Sequence, residues 1–177
     1  MLLSLQQKYI LEALRRLGCV RQNQLHALVR GKFQRPDFEI SEARMAAMLR
    51  QLRSGLGDFH VDGNFVYLAR GQPNGARLEA IDVMLELSEG APQDFTVKVD
   101  SPRLLRFALG GDKLKLFSVA RLSHISEPQQ LQRERSERIV WISDSGTPPE
   151  GLALPPKHFF AARQADGSHR FYGPNGP

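Results

Sequence analysis

Apolar residues in the first seventy positions change their spacing once, near Gly57. Before that point they recur every three or four residues, as Ile10, Ala13, Leu14 and Leu17 do, and after it they alternate with polar residues. The first spacing places side chains on one face of a helix, whereas alternation is typical of a strand with one buried face. The chain is therefore expected to begin with helices and to continue into strands.

Three helices are predicted in this part of the chain. The first covers residues 4–17, the second covers residues 22–30 and ends at Gly31, and the third begins after Ser41. Ser4 and Ser41 are the candidate N-caps of the first and third helices, because a serine hydroxyl can accept a hydrogen bond from the first turn. The segment 32–39 contains a proline and is predicted to form a loop.

A hairpin is predicted directly after the third helix. Its strands flank Asp62-Gly63-Asn64, and aspartate or asparagine beside glycine favours a tight turn. The Gly/Pro-rich segment 71–75 then marks a boundary, which divides the chain into domains covering residues 1–73 and 74–177.

Charge is distributed unevenly between these two domains. Residues 1–73 contain 11 Lys and Arg against 6 Asp and Glu, while residues 74–177 contain 13 of each class, so the net charge of +5 belongs to the first domain. A basic domain attracts polyanions such as DNA, although a solvated basic surface without a partner has the same composition. Cys19 is the single cysteine, and the chain has no long apolar run. A cytoplasmic protein without a membrane segment is expected.

The third helix has the pattern of a helix that reads DNA. If Met45, Met48, Leu49 and Leu52 are buried, the opposite face carries Ala43, Ala47, Arg50 and Ser54, flanked by Arg44, Ala46, Gln51 and Arg53. Arginine can bind guanine and glutamine can bind adenine, while Arg44 and Arg53 can instead contact phosphates. Contacts with double-stranded DNA are therefore expected from Lys32, Arg35, Ser41, Arg44, Ala47, Arg50, Gln51, Arg53 and Ser54.

The order of three helices and a hairpin over residues 4–70 resembles the winged-helix family. The resemblance implies that the third helix enters the major groove and that the hairpin forms a wing, whose tip touches the DNA backbone or minor groove. His60 and Asn64 are assigned to DNA contact by this resemblance, and Asp62 lies beside them at the tip. An acidic residue is a poor neighbour for phosphate, so the helix is expected to be the main contact.

The second domain is predicted to be a small mixed α/β unit. A helix at residues 76–88 precedes three strands, a helix and a strand, and two further strands follow as a hairpin. The predicted ranges after that first helix are 95–99, 104–109 and 113–119 for the three strands, 127–135 for the helix, 138–142 for the next strand, and 158–163 and 168–172 for the hairpin.

This order, αβββαβ, resembles the core of PD-(D/E)xK nucleases. That family places an acid late in the second strand and an acid-x-Lys motif on the third, to hold magnesium and activate water. Here the strand 104–109 contains no acid, and Leu114 stands where an acid-x-Lys motif beginning at Asp112 would place lysine. Glu79 and Asp82 lack these partners. The second domain is therefore expected to be a degenerate nuclease-like domain without enzymatic activity, metal or cofactor. Its expected role is to form a homodimer or to bind another partner.

A winged helix followed by a degenerate nuclease-like domain is similar to the replication-relaxation family of bacterial plasmids and other mobile elements. The resemblance implies a DNA-binding regulator or accessory factor in transcription, replication or transfer. Two alternatives remain open: a protein-interaction scaffold that uses the winged helix, and a divergent magnesium nuclease.

Overall fold

A computed structural model describes residues 2–69 and 71–175 of the chain. The protein is α+β, with 32% helix and 27% strand. The N-terminal unit consists of α1 (Leu5–Leu17), β1 (Cys19–Arg21), α2 (Gln22–Phe33), α3 (Glu42–Gly55), β2 (Phe59–Asp62) and β3 (Phe65–Leu68). The C-terminal unit consists of α4 (Gly75–Leu87), β4 (Asp94–Thr96), β5 (Arg103–Leu109), β6 (Lys115–Arg121), α5 (Glu127–Gln130), β7 (Glu137–Ile142), β8 (His158–Arg163) and β9 (His169–Tyr172).

The helices of the N-terminal unit begin where their capping residues predict. The Ser4 hydroxyl accepts from the backbone N–H of Gln7, and the Gln7 side chain accepts from the backbone N–H of Ser4 (3.2 and 3.0 Å). This reciprocal pair satisfies two N–H groups that the first turn leaves without helical partners. Behind the helices lies a three-stranded antiparallel sheet in the order β1-β3-β2.

The C-terminal unit is built on one six-stranded mixed sheet. Its strands lie in chain order, from β4 at one edge to β9 at the other. Strands β6, β7 and β8 are parallel, and the remaining neighbours are antiparallel. One face of the sheet packs against α4, while Leu122 and Trp141 belong to a second apolar cluster on the other face.

Helix α4 is buried on two sides. Leu78, Ala80, Ile81, Val83 and Met84 are all buried, and this helix packs against β5 and β6 as well as against α2 and β1. A helix that is apolar around most of its circumference needs cover on more than one side. The main apolar cluster accordingly runs without interruption from α1 and α3 through α4 into the sheet.

The prediction that α2 ends at Gly31 is wrong. The helix continues to Phe33, so Lys32 lies in its last turn and not in the following loop. Gly31 is needed there for a close contact, because a Cβ on it would lie 2.0 Å from the carbonyl oxygen of Gly90. The glycine thus allows α2 to approach the end of α4 instead of stopping the helix.

Helix α5 and the strands beside it also differ from the prediction. Helix α5 ends at Gln130 rather than near residue 135. A continued helix would direct the backbone N–H of Glu134 to the carbonyl of Gln130, but this N–H donates to the Glu137 carboxylate instead (2.9 Å). Strand β6 begins at Lys115 instead of residue 113, and β4 ends at Thr96 instead of residue 99. The predicted hairpin of residues 158–163 and 168–172 is confirmed by the pairing of β8 with β9.

No helix among residues 2–69 and 71–175 combines the length and apolar character needed to cross a lipid bilayer.

Replacing Gly31 by alanine is expected to destabilise the protein by about 1–3 kcal/mol, since the new methyl group must displace the Gly90 backbone. Helix propensity alone predicts that the alanine variant is more stable than the parent, because alanine is favoured over glycine inside a helix. Chemical denaturation measures the difference. Gly75→Ala is the matched control, because a Cβ added at this residue of α4 would have no neighbouring atom within 4 Å. Equal stability of the Gly31→Ala variant and the parent would contradict the proposed close contact.

Candidate nucleic-acid interface

Helix α3 has a fully apolar inner side. Met45, Met48, Leu49 and Leu52 are buried, as the spacing predicts. The N-cap is Ser41, whose hydroxyl accepts from the backbone N–H of Arg44 (3.2 Å). Ser41 thus has a structural role at the start of the helix. Burial of four neighbouring side chains fixes which residues of α3 face outwards.

The outer face of α3 carries three exposed arginines. This face is defined here by Ala43, Ala47, Arg50 and Ser54, with Arg44, Ala46, Gln51 and Arg53 on its flanks. Within the part of the chain that the structure describes, neither Arg44, Arg50 nor Arg53 forms an ion pair with an acidic side chain. Ser54 is exposed and its hydroxyl donates to the carbonyl oxygen of Gln51 (3.0 Å), while Ala47 is half-buried. Three positive charges are therefore presented without local neutralisation.

Arg44 differs from the other two arginines because it lies against an aromatic ring. Its guanidinium carbon is 4.0 Å from the ring centroid of Phe38, in the segment that leads into α3. Arg35 and Phe38 exchange backbone hydrogen bonds of 3.1 and 3.0 Å across a tight turn. Phe38 was not among the residues predicted from the sequence, although an aromatic residue in an otherwise polar loop with a proline is a detectable signal.

Gln51 is already bound within the protein. Its side-chain oxygen accepts from the Gln7 amide on α1 (2.9 Å). A bidentate pair with adenine would use the same oxygen, so recognition of adenine would compete with the Gln7 bond. Gln51 thus joins α3 to α1.

Lys32 and Arg35 lie at the end of α2 and in the segment after it. Lys32 is exposed in the last turn of α2, and Arg35 is exposed in the tight turn that follows. Both side chains are open to solvent. Asp37 and Glu39 are exposed in the same segment, so the two positive charges there are matched by two negative ones.

The hairpin tip is short and is held by α2. Strands β2 and β3 pair from Phe59 to Asp62, and the turn contains only Gly63 and Asn64. The backbone and side chain of Gln22 donate to the carbonyl oxygens of Asn64 and Gly63, at 2.8 Å in both cases. The tip therefore does not extend far from the N-terminal unit.

His60 stacks on Tyr67 across the hairpin, with a ring-centroid distance of 5.2 Å. Asn64 and Glu42 line a recess of about 350 Å³ between α2, α3 and the tip. Exposed Asp62 and the Glu42 carboxylate place negative charge near this recess.

Asp82, one of the two possible first-helix acids of a nuclease, joins the two units. Arg21 and the Gln24 amide donate to its two carboxylate oxygens (2.8 and 2.7 Å). The same Gln24 nitrogen donates to the carbonyl oxygen of Leu78 (2.7 Å). Asp82 therefore fixes α2 against α4.

Glu79, the other possible nuclease acid, contacts His169 on strand β9. The imidazole lies 3.3 Å from a Glu79 oxygen and 2.8 Å from a Glu86 oxygen, and the side chain of His169 is fully buried. Burial lowers the pKa of His169, but the two carboxylates outweigh burial and leave that pKa raised. The cluster ties the edge strand to α4.

The central strands β5, β6 and β7 are joined by a network of polar and charged side chains. Arg103 on β5 donates two hydrogen bonds to the buried Glu137 carboxylate (2.8 and 2.9 Å), and the Ser118 hydroxyl on β6 donates a third (2.5 Å). Burial raises the pKa of Glu137, but these hydrogen bonds outweigh it and lower that pKa to about 2. The carboxylate is thus used to hold three strands together. Asp112 precedes β6 and lies outside the sheet.

Among residues 2–69 and 71–175, no group of three or more His, Cys, Asp or Glu side chains is arranged to hold a metal ion. Comparisons with protein-family models, curated proteins and solved structures found no match for this chain.

The His169 cluster is expected to make stability depend on pH. Because the pKa of His169 is higher in the folded chain than its ordinary value of 6.5, the cluster stabilises fully below that value and loses its contribution as pH rises through the folded-state pKa. Urea unfolding of the parent and of His169→Gln should therefore give stabilities that converge as pH increases above 6.5. Replacement of exposed His124 by glutamine is the control. A constant difference between His169→Gln and the parent across this range would contradict the assignment.

Proposed function

We propose that this protein binds double-stranded DNA through the outer face of α3. The observation that carries the proposal is the exposure of three arginines without acidic partners among the described residues: Arg50 opposite the buried stripe of α3, and Arg44 and Arg53 on the two flanks. The B-DNA major groove is about 12 Å wide and accepts a helix of this kind. Ala43 and Ala47 are small enough to allow close approach.

The charge distribution supports the same partner. The whole excess of positive charge belongs to residues 1–73, which include the N-terminal unit and also Arg70, outside the described residues. Lys32 and Arg35 are exposed in the segment before α3 and would meet phosphates there, beside the exposed acids Asp37 and Glu39. Each phosphate that such a surface neutralises releases condensed counterions, which favours binding at low salt.

We propose a secondary contribution from the hairpin. Its two-residue turn is held to Gln22, and Asp62 and Glu42 place negative charge near it. His60 and Asn64 would then contact DNA only at the margin of the interface, and α3 would supply most of the affinity.

The biological role is proposed from the resemblance of the chain as a whole. A small sheet β1-β3-β2 behind three helices is consistent with a winged helix, and the element order of the C-terminal unit is consistent with a nuclease-like core. The proposed role is a cytoplasmic regulator or accessory factor for transcription, replication or transfer of a bacterial mobile element. Glu79, Asp82 and Glu137 are bound by His169, Arg21 and Arg103, which favours a supporting role for the C-terminal unit, as a dimer or partner surface, over catalysis.

Replacing Arg50 and Arg53 together by alanine is expected to weaken duplex binding strongly. The slope of log affinity against log salt should become less steep by up to about 2, or roughly one for each phosphate that is no longer neutralised. Mobility shifts on a mixed-sequence duplex at about 50 and 200 mM salt measure both quantities. Thermal stability should not change, because both side chains are exposed.

The matched control is Lys113→Ala with Lys115→Ala, which removes two exposed positive charges from the C-terminal unit. A second control, Arg50→Lys with Arg53→Lys, keeps the charge and should retain most of the salt dependence. Equal duplex binding by the Arg50/Arg53 alanine variant and the parent would refute the proposed interface.

A further inference from the structure

We propose that Phe38 is a positioning residue that holds Arg44 ready to recognise guanine, so that Arg44 supplies sequence preference while Arg50 and Arg53 supply general affinity. This inference rests on the proposed function, because it assigns different tasks to arginines of the same interface.

Phe38 occupies a fixed position. The paired backbone hydrogen bonds with Arg35 close the turn, and the Phe38 ring is half-buried against the main apolar cluster. The segment is also held just before α3, where the imidazole of His26 lies 2.7 Å from the carbonyl oxygen of the buried Ile40. The Phe38 ring therefore has a fixed position against which another side chain can pack.

The guanidinium group of Arg44 lies over the Phe38 ring. With its guanidinium carbon 4.0 Å over the ring centroid, Arg44 forms a cation–π contact that restricts where the guanidinium lies. No acidic side chain among the described residues binds its N–H groups. A guanidinium with a restricted position and free donors suits the O6 and N7 acceptors of guanine, which need two parallel hydrogen bonds.

The place of Arg44 on the helix favours the same task. It lies in the first turn of α3, and the N-terminal residues of a helix in the major groove are those that contact base edges. Neither Arg50 nor Arg53 has an aromatic or acidic contact within the described residues. Both side chains keep their rotamer freedom, which suits adaptable contacts with phosphates.

The experiment is selection from a duplex library with a randomised central segment, carried out with the full chain. The parent should enrich a motif with guanine at one position. Arg44→Lys and Phe38→Leu should lose that preference, Phe38→Leu by roughly two- to fivefold, the strength of an exposed cation–π contact. Affinity of Phe38→Leu for an unselected duplex should remain nearly unchanged, which a merely structural role of Phe38 would not predict.

Phe33→Leu is the matched control, because Phe33 is also half-buried but contacts Tyr9 edge to face, at 5.5 Å between ring centroids. Phe38→Tyr keeps the ring and should keep the guanine preference. Thermal melts are measured first, and Phe38→Met replaces the leucine variant if that variant is less stable than the parent.

If Phe38→Leu or Arg44→Lys keeps the same guanine preference as the parent, this inference is overturned. The proposal that the protein binds duplex DNA would not be affected by that result. Failure of the parent to retain any duplex would overturn the proposed function together with this inference.

Discussion

Burial of α4 on two sides is the constraint on which the rest of the structure depends. Its apolar residues cannot all face one sheet, so the helix is covered by β5 and β6 on one side and by α2 and β1 on another. The chain thereby forms one continuous apolar core from two differently built halves. Beside these apolar contacts, Gly31 meets the Gly90 backbone without a side chain, and the Asp82 carboxylate is paired with Arg21.

This arrangement also determines what remains free for function. Once α2 is fixed against α4 and the buried stripe of α3 is fixed in the core, the arginines of α3 have no position except the surface. The acids of the C-terminal unit, in contrast, are used within the protein, where Glu137 holds three strands and Glu79 contacts the edge-strand histidine. The arginines of α3 therefore remain exposed, whereas Asp82, Glu137 and Glu79 are paired with basic side chains within the protein.

Local signals in the sequence predicted much of the fold. The Ser4 and Ser41 caps, the buried stripe of α3 and the hairpin of β8 and β9 each depend on neighbouring residues, and each is confirmed. The error at Gly31 involves a distant partner, whereas the early end of α5 involves a bond between Glu134 and Glu137. The sequence predicts a helix stop at Gly31 because the contact of this glycine with Gly90 leaves no local signal, and the bond from Gln7 to Gln51 likewise joins separate helices. Contact between Phe38 and Arg44 depends likewise on how the loop before α3 turns back. The exposed arginines could be predicted, but their surroundings could not.

The shared position of α4 has a consequence for any attempt to divide the chain. Cleavage near residue 73 would leave an N-terminal fragment in which the sides of α2 and β1 that face α4 become open to water, and Arg21 would lose its carboxylate partner. Such a fragment would keep the arginines of α3. It would also expose a new apolar surface that favours self-association. Retention of DNA by aggregates of this fragment would therefore say little about recognition by the intact molecule.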